Sequence, residues 1–173
     1  MFEGEGPRAE EWGRMAAAAF SGFSGQAFSP IGEKGRFVLP PLFRNAVKAS
    51  SDGRILCLDK HARFTCLVGF GLSRMSELEQ QLDREEDRAG PEFDRDTRAQ
   101  QLFGFAQVPF DDSGRFVLPD HLRQLANIDG ALFFQGGGRS FTVWSPSELM
   151  KMDDAWAAAK AACAQFLDEG KAK

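Results

Sequence analysis

The chain has 173 residues, 43% of them hydrophobic and 27% charged, with a net charge of −4; this suits one ordinary domain or two small, closely fused ones. That composition excludes intrinsic disorder for the bulk of the chain, and no apolar run approaches the roughly 20 residues that a membrane helix needs. The three cysteines, Cys57, Cys66 and Cys163, form no CxxC pair and leave an odd thiol in any disulfide scheme, so they read as reduced core residues of a cytosolic protein.

Residues 1–22 carry no structural pattern and are expected to be a mobile extension, with Met15 an alternative start. The acidic opening (Glu3, Glu5) and the very short apolar stretch at residues 15–20 are not those of a secretory signal. A basic stretch follows at residues 31–48, where Lys34, Arg36, Arg44 and Lys48 face the single acid Glu33. A local +3 on an acidic chain is a candidate phosphate footprint, the alternative being a solvated mixed-charge surface.

Within that stretch lies one half of an internal repeat. Gly35-Arg36-Phe37-Val38-Leu39-Pro40 recurs letter for letter as Gly114-Arg115-Phe116-Val117-Leu118-Pro119, and Arg44 and Arg123 follow at the same offset. Two copies are too few for a solenoid and instead suggest a pseudo-symmetric pair. Each copy has the same grammar. A glycine turn leads to an Arg, and Phe-Val-Leu supplies a short strand. Pro ends that strand and can open a helix, of one or two turns over residues 41–49 or 120–126. A second apolar run comes next, Ile55-Leu56-Cys57-Leu58 or Ala131-Leu132-Phe133-Phe134. The third is Phe64-Thr65-Cys66-Leu67-Val68 or Phe141-Thr142-Val143-Trp144, reached in the second copy through Gly136-Gly137-Gly138, a hairpin turn.

A helix is predicted over residues 73–88, with Met75, Leu78 and Leu82 on one face, and Gly90-Pro91 breaks it. A second helical piece at residues 94–102 leads to a strand at 105–110. Residues 73–101 hold nine acids against five arginines, the whole of the net negative charge. One long final helix is predicted from Ser145-Pro146 to about Gly170, capped by Ser145. Leu149, Met152, Trp156, Cys163 and Leu167 form its apolar stripe, read as core or a subunit contact.

Arg36 and Arg115 each sit behind a flexible glycine at the mouth of a strand, where pseudo-two-fold symmetry would present two guanidiniums from one surface. Such forks suit phosphate oxygens and guanine edges. Asp111 lies four residues before Arg115 and is placed to hold its fork in one rotamer or to pair with a neighbouring copy. Catalysis finds little support. His61 and His121 are not spaced as metal ligands, Asp120-His121 reads as a helix start, and no phosphate-binding loop or nucleophile elbow is present. Seventeen Phe with no Tyr lie mostly in apolar runs and read as core.

These motifs resemble the MraZ family, two-repeat relatives of the AbrB and SpoVT swapped-hairpin transcription factors. The family pattern is an Asp-x-x-x-Arg motif in each repeat, then a strand and Leu-Pro-x-x-Leu/Phe-Arg. Asp111-Asp112-Ser113-Gly114-Arg115 with Leu118-Pro119 and Leu122-Arg123 is similar to it, as are Gly35-Arg36 with Leu39-Pro40 and Phe43-Arg44. Phe23-Ser24-Gly25 resembles the family's opening strand, and Trp144 fits the end of the second repeat. The sequence departs from the pattern at Gly32, which stands where the first acid would be, and in its N-terminal extension.

The resemblance implies an α+β fold: two pseudo-symmetric AbrB-like swapped-hairpin β units in one chain with flanking helices. The first repeat with its helical linker would span residues 23–103, and the second with its C-terminal helix residues 104–170. The implied protein is no enzyme. It is a cytoplasmic, nucleoid-associated regulator, usually a repressor, which binds repeated boxes of double-stranded DNA upstream of a cell-division and cell-wall gene cluster as a homo-oligomeric ring. No cofactor, metal, membrane or small-molecule substrate is expected. Lys34, Gly35, Arg36, Asp111, Gly114 and Arg115 would form the DNA-binding set, with Arg44 and Arg123 secondary or structural. The rival reading is a protein-binding adaptor of the same fold without DNA affinity, docking through the acidic segment.

Overall fold

The structure, a computed structural model, describes residues 22–171; the expected extension lies, but for its last residue, outside them. Eight strands form: β1 (Gln26–Pro30), β2 (Phe37–Val38), β3 (Ile55–Lys60), β4 (Leu67–Phe70), β5 (Ala106–Pro109), β6 (Arg115–Phe116), β7 (Ala131–Gly136) and β8 (Phe141–Trp144). Six of them make one sheet in the order β1-β7-β8-β4-β3-β5, and β2 pairs with β6 as a separate ribbon. Every pairing is antiparallel.

That order reads the same from either edge once the two halves of the sequence are matched. Each half contributes a hairpin, β3–β4 or β7–β8, and the two hairpins meet at β4–β8 with Val68 opposite Thr142. Each outer position is then filled by the other half's first strand. β1 lies along β7 with Gln26 opposite Gln135, and β5 lies along β3 with Leu56 opposite Val108. The halves are therefore intertwined in a mixed α+β architecture, as the family resemblance implies.

Side-chain alternation along the strands builds three layers. Leu56, Leu58, Leu67, Val108, Leu132, Phe134, Phe141 and Val143 point to one face. There they pack against α1 (Pro41–Ser51), through Phe43 and Val47, against Leu122 of the short helix at Asp120–Leu125, and against Phe37, Leu39, Phe116 and Leu118 of the ribbon. The opposite face is covered in two patches. Cys57, Phe70 and Val68 pack beneath α2 (Arg74–Ala89) and α3 (Arg95–Phe103). The Asp120–Leu125 helix is α4. Phe133 and Trp144 pack beneath α5 (Pro146–Leu149) and α6 (Ala157–Lys171). The acidic helices and the Gly-Arg strand mouths thus lie on opposite faces of the sheet.

Local chemistry explains the boundaries. Pro41 opens α1, where a missing N–H costs nothing, and Asp52 closes it in a left-handed conformation at φ 52°. Asp94 caps α3, accepting the Thr97 N–H at 3.0 Å, and that bond holds its carboxyl below the usual aspartate range. Arg95 bridges back to Asp83 at 3.0 Å and Glu86 at 2.9 Å, and Arg98 to Glu85 at 3.0 Å, so α2 and α3 are laced together by their own charges. The three thiols are free and buried. Burial pushes Cys57 and Cys163 up to about 11 and Cys66 up to about 12.

Five expectations are corrected. The helix after the first Leu-Pro runs eleven residues rather than one or two turns. The third apolar run of the first half pairs only from Leu67, because Phe64 turns aside against Trp144 and Trp156. Met75 is exposed, while Leu78 and Leu82 are buried. The final helix is broken after α5, and a 3-10 turn at Asp154–Trp156 restarts the chain. Asp153 caps that turn by accepting the Ala155 N–H at 3.0 Å. Ser145 does precede α5, but its hydroxyl bonds Ser147 rather than a helix N–H. The apolar stripe survives the break and forms core with Phe133 and Trp144.

Gly136 shows how tightly the exchanged strand is seated. A Cβ there would lie 2.5 Å from the Ser24 Cα and 2.7 Å from the Phe23 oxygen, backbone atoms that cannot yield without lifting the start of β1. Gly136→Ala is expected to destabilise the protein by about 1–3 kcal/mol, the usual cost of overpacking, seen as a lower thermal midpoint. Gly170→Ala, on an exposed turn of α6 with nothing within 4 Å, should instead raise stability by about 0.5–1 kcal/mol through helix propensity. Equal effects of the two would contradict this packing.

Candidate functional site

The two Gly-Arg motifs meet at the β2–β6 ribbon. Phe37 sits opposite Phe116 and Val38 opposite Arg115, and the Leu39 N–H donates to the Gly114 oxygen at 2.8 Å, continuing the ladder. The local pseudo-dyad therefore passes between the two phenylalanines. Phe37, Leu39, Phe116 and Leu118 are buried, whereas Val38, Arg115 and Val117 are exposed. Arg36, in extended backbone at φ −90°, falls on the same outward side by alternation. The two arginines thus flank the dyad diagonally on one face.

The turns leading into them share a backbone frame. In the second copy the Asp111 N–H donates to the Arg115 oxygen at 3.1 Å, and the Gly114 N–H to the Asp111 oxygen at 2.9 Å. In the first, the Gly32 N–H donates to the Arg36 oxygen at 2.7 Å, and the Gly35 N–H to the Gly32 oxygen at 3.2 Å. Gly114 and Gly35 are left-handed, at φ 83° and 70°, a conformation that costs glycine little. Gly114 is also hemmed in: a Cβ would lie 2.5 Å from Arg44 Nε and 2.6 Å from the Leu39 oxygen.

The frames differ in what fills them. Asp111 Oδ1 accepts the N–H groups of Ser113 and Arg115, both at 2.9 Å, and Oδ2 accepts Arg115 Nε–H at 2.7 Å. The acid therefore clamps its own arginine within the turn. The Arg115 backbone N–H above all, then the Arg115 fork and the Ser113 N–H, hold the Asp111 carboxyl below the usual 3.8, against some desolvation. Asp112 pairs with Arg54 from the start of β3, which ties the turn to the other half.

Gly32 offers no carboxylate. The Arg36 N–H turns to the Glu33 oxygen at 3.3 Å, and Lys34 takes a left-handed conformation at φ 59°. Arg36 makes no ion pair among the described residues, and its buried Nε has no hydrogen-bond partner. One loop thus presents a guanidinium already neutralised and fixed, the other a half-buried guanidinium with no acidic partner among the described residues, beside the exposed Lys34. Such a group favours an external anion.

Arg44 and Arg123 turn inward. Arg44 Nε–H donates to the Leu39 oxygen at 3.0 Å, bracing the end of β2 against Gly114. Arg123 donates to the oxygens of Ile128 at 3.2 Å and Asp129 at 2.6 Å, and its guanidinium lies over the Phe37 ring. Both are structural supports of the ribbon. Two contributors escape sequence reasoning. Arg54 lies far along the chain from Asp112, with no local signal, and Ser29, buried in β1, accepts the Val38 N–H at 2.9 Å.

No protein-family model matches the chain. The chain is similar to several proteins named transcriptional regulator MraZ. It is 33% identical over 125 residues to that of Parvibaculum lavamentivorans, covering 72% of this chain and 76% of the relative. It is 30% identical over 136 residues to that of Rhodospirillum rubrum, covering 78% and 86%. The match to that of a Roseiflexus species is also 30%, over 149 residues, covering 85% and 97%.

The clamp has a pH signature. Because the folded Asp111 value is depressed, the clamp is fully formed above the ordinary value of 3.8 and is lost as pH falls through the folded value. The Arg115 Nε–H resonance should remain protected at neutral pH and lose protection below about pH 3.8, and Asp111→Asn should remove that dependence. The reciprocal change is Gly32→Asp, where the backbone is extended and a Cβ meets only the Arg36 oxygen at 3.4 Å. It should bring the Arg36 Nε–H to comparable protection; an unchanged Arg36 signal would show that the two frames are not equivalent.

Proposed function

The chain belongs to the MraZ family of transcriptional regulators, and from that premise we propose that it is a sequence-specific DNA-binding repressor that reads duplex DNA through the outward face of the β2–β6 ribbon. The observation that carries this reading is the pairing of both Gly-Arg motifs across one pseudo-dyad, with the phenylalanines buried and, on the other side of the strands, Arg115 exposed and Arg36 half-buried. A two-stranded ribbon fits the major groove, and approximate two-fold symmetry suits a duplex.

The two loops take different roles in this reading. Arg115, held by Asp111 through Nε, has its terminal nitrogens free to meet a base edge in a fixed direction. Arg36, with no carboxylate partner and Lys34 beside it, takes a phosphate. Exposed Gly35, with open space where a side chain would stand, lets the backbone approach the duplex closely; buried Gly114 instead admits Arg44, which with Arg123 supports the ribbon from behind.

The working unit is a homo-oligomeric ring in the cytoplasm, associated with the nucleoid, whose chains each carry the two repeats at residues 23–103 and 104–170. One ribbon offers only a few contacts. A ring engaging repeated boxes makes each later contact intramolecular and multiplies affinity without new chemistry. Its target is the DNA upstream of its own cell-division and cell-wall gene cluster. The relatives are named as regulators, not enzymes, and the Arg-lined face needs no cofactor.

The test is binding to a labelled duplex from upstream of the protein's own gene, beside scrambled DNA, at several salt concentrations. Selective binding that weakens as salt rises is expected from counterion release. Arg36→Ala should weaken binding across sequences and lower the salt slope by about 1. Arg115→Ala should cost about 1–3 kcal/mol of discrimination at the base it reads. Binding equal to scrambled DNA, or unchanged in both folded variants, would overturn this reading in favour of a protein-binding adaptor.

A further inference from the structure

Two aliphatic side chains share the outward face with the arginines. Val38 is 36% exposed and Val117 is 64% exposed. They occupy the same place in the duplicated motif, and the register sets Val38 beside Arg115 across the ribbon. Extending that register by one step sets Val117 beside Arg36. Isolated surface aliphatics need no explanation. This pair differs in being duplicated, related by the pseudo-dyad, and set between two guanidiniums.

On the DNA-binding reading, on which this inference rests, we propose that Val38 and Val117 are specificity-determining residues that read the 5-methyl groups of thymines in the major groove. Thymine's methyl is the apolar feature of that groove, and an aliphatic side chain has nothing else there to recognise. Valine is suited to the task because its branched Cβ leaves χ1 stiff, so little freedom is lost on contact.

The backbone behind Val38 is fixed. The Val38 N–H is held by the buried Ser29 hydroxyl at 2.9 Å, and the next residue by the Leu39–Gly114 hydrogen bond at 2.8 Å. Inward Phe37 and Phe116 prevent either valine from rotating into the core. The flanking cations select the occupant. A polyanion satisfies Arg36 and Lys34 while bringing the methyl groups to the valines, and a duplex carries a two-fold relation matching that of the ribbon.

The experiment compares two duplexes of the same upstream sequence, one with thymine and one with uracil throughout, which differ only in those methyl groups. The full-length wild-type chain should bind the thymine duplex more tightly by about four-fold for each methyl in contact. In the double variant Val38→Ala, Val117→Ala the thymine-to-uracil ratio should fall towards one. Both valines are exposed, so the variant should keep its thermal midpoint and its oligomeric size. Selective DNA binding with the same ratio in both proteins would overturn the methyl contact while leaving the DNA-binding reading in place. A retained ratio with altered oligomeric size would overturn it in favour of a subunit contact. Failure to bind either duplex would overturn the DNA-binding reading and the methyl contact with it.

Discussion

Everything on the outward face depends on Phe37 facing Phe116 at the pseudo-dyad and pointing into the core. Each ring contributes about 1.5–3 kcal/mol by burial, and both lie in a core cluster drawn from both halves of the chain. In a strand the side-chain period is two, so a slip of one residue would exchange inside for outside. Here a slip would drive Arg36 and Arg115 towards the core and bring both phenylalanines into water. The cost of burying unpaired guanidiniums fixes the register, and the register aims the arginines. Stability and presentation are thus two readings of one constraint.

The scaffold is nearly symmetric, but its chemistry is not. The two turns share their backbone hydrogen bonds and their left-handed glycines, yet one holds a carboxylate and the other only Gly32. Exchanging an aspartate for a glycine at that position leaves the frame standing because the frame is built from backbone groups. What changes is the state of the arginine: Arg115 is ordered and neutralised, Arg36 under-coordinated and net positive. A duplicated motif can diverge in this way without refolding, since the divergence is confined to atoms outside the ladder.

How much of this was legible in the sequence varied with the range of the interaction. The duplicated motif, the glycine turns and the Asp111–Arg115 pairing are local, and six identical residues in register disclose them directly. The strand exchange is not local. Nothing in Gln26-Ala27-Phe28-Ser29-Pro30 names β7 as its partner, because β1 would pair as well in composition with its own hairpin; shape and closure decide. The broken final helix did carry a signal, the adjacent Asp153 and Asp154 in mid-pattern, since aspartate prefers a cap to a helix interior. Phe64-Thr65-Cys66 misled because an apolar β-forming run records burial as readily as it records strand; its burial is against Trp144 and Trp156. The Arg54–Asp112 and Ser29–Val38 contacts depend wholly on tertiary placement.

The three layers also resolve how a chain with net charge −4 can offer a cationic face. Its surplus acids lie on α2 and α3, where Arg95 and Arg98 neutralise several of them within the helix pair. The remainder faces away, with the sheet between it and the ribbon. Packed layers stand about 10 Å apart, so the ribbon is about two layer spacings from the acidic helices, well beyond the Debye length of about 8 Å at physiological salt. Around the molecule, solvent ions damp the negative field before it reaches the arginines. Net charge is therefore a poor guide to what this chain attracts; the placement of its charges on either side of the sheet is the better one.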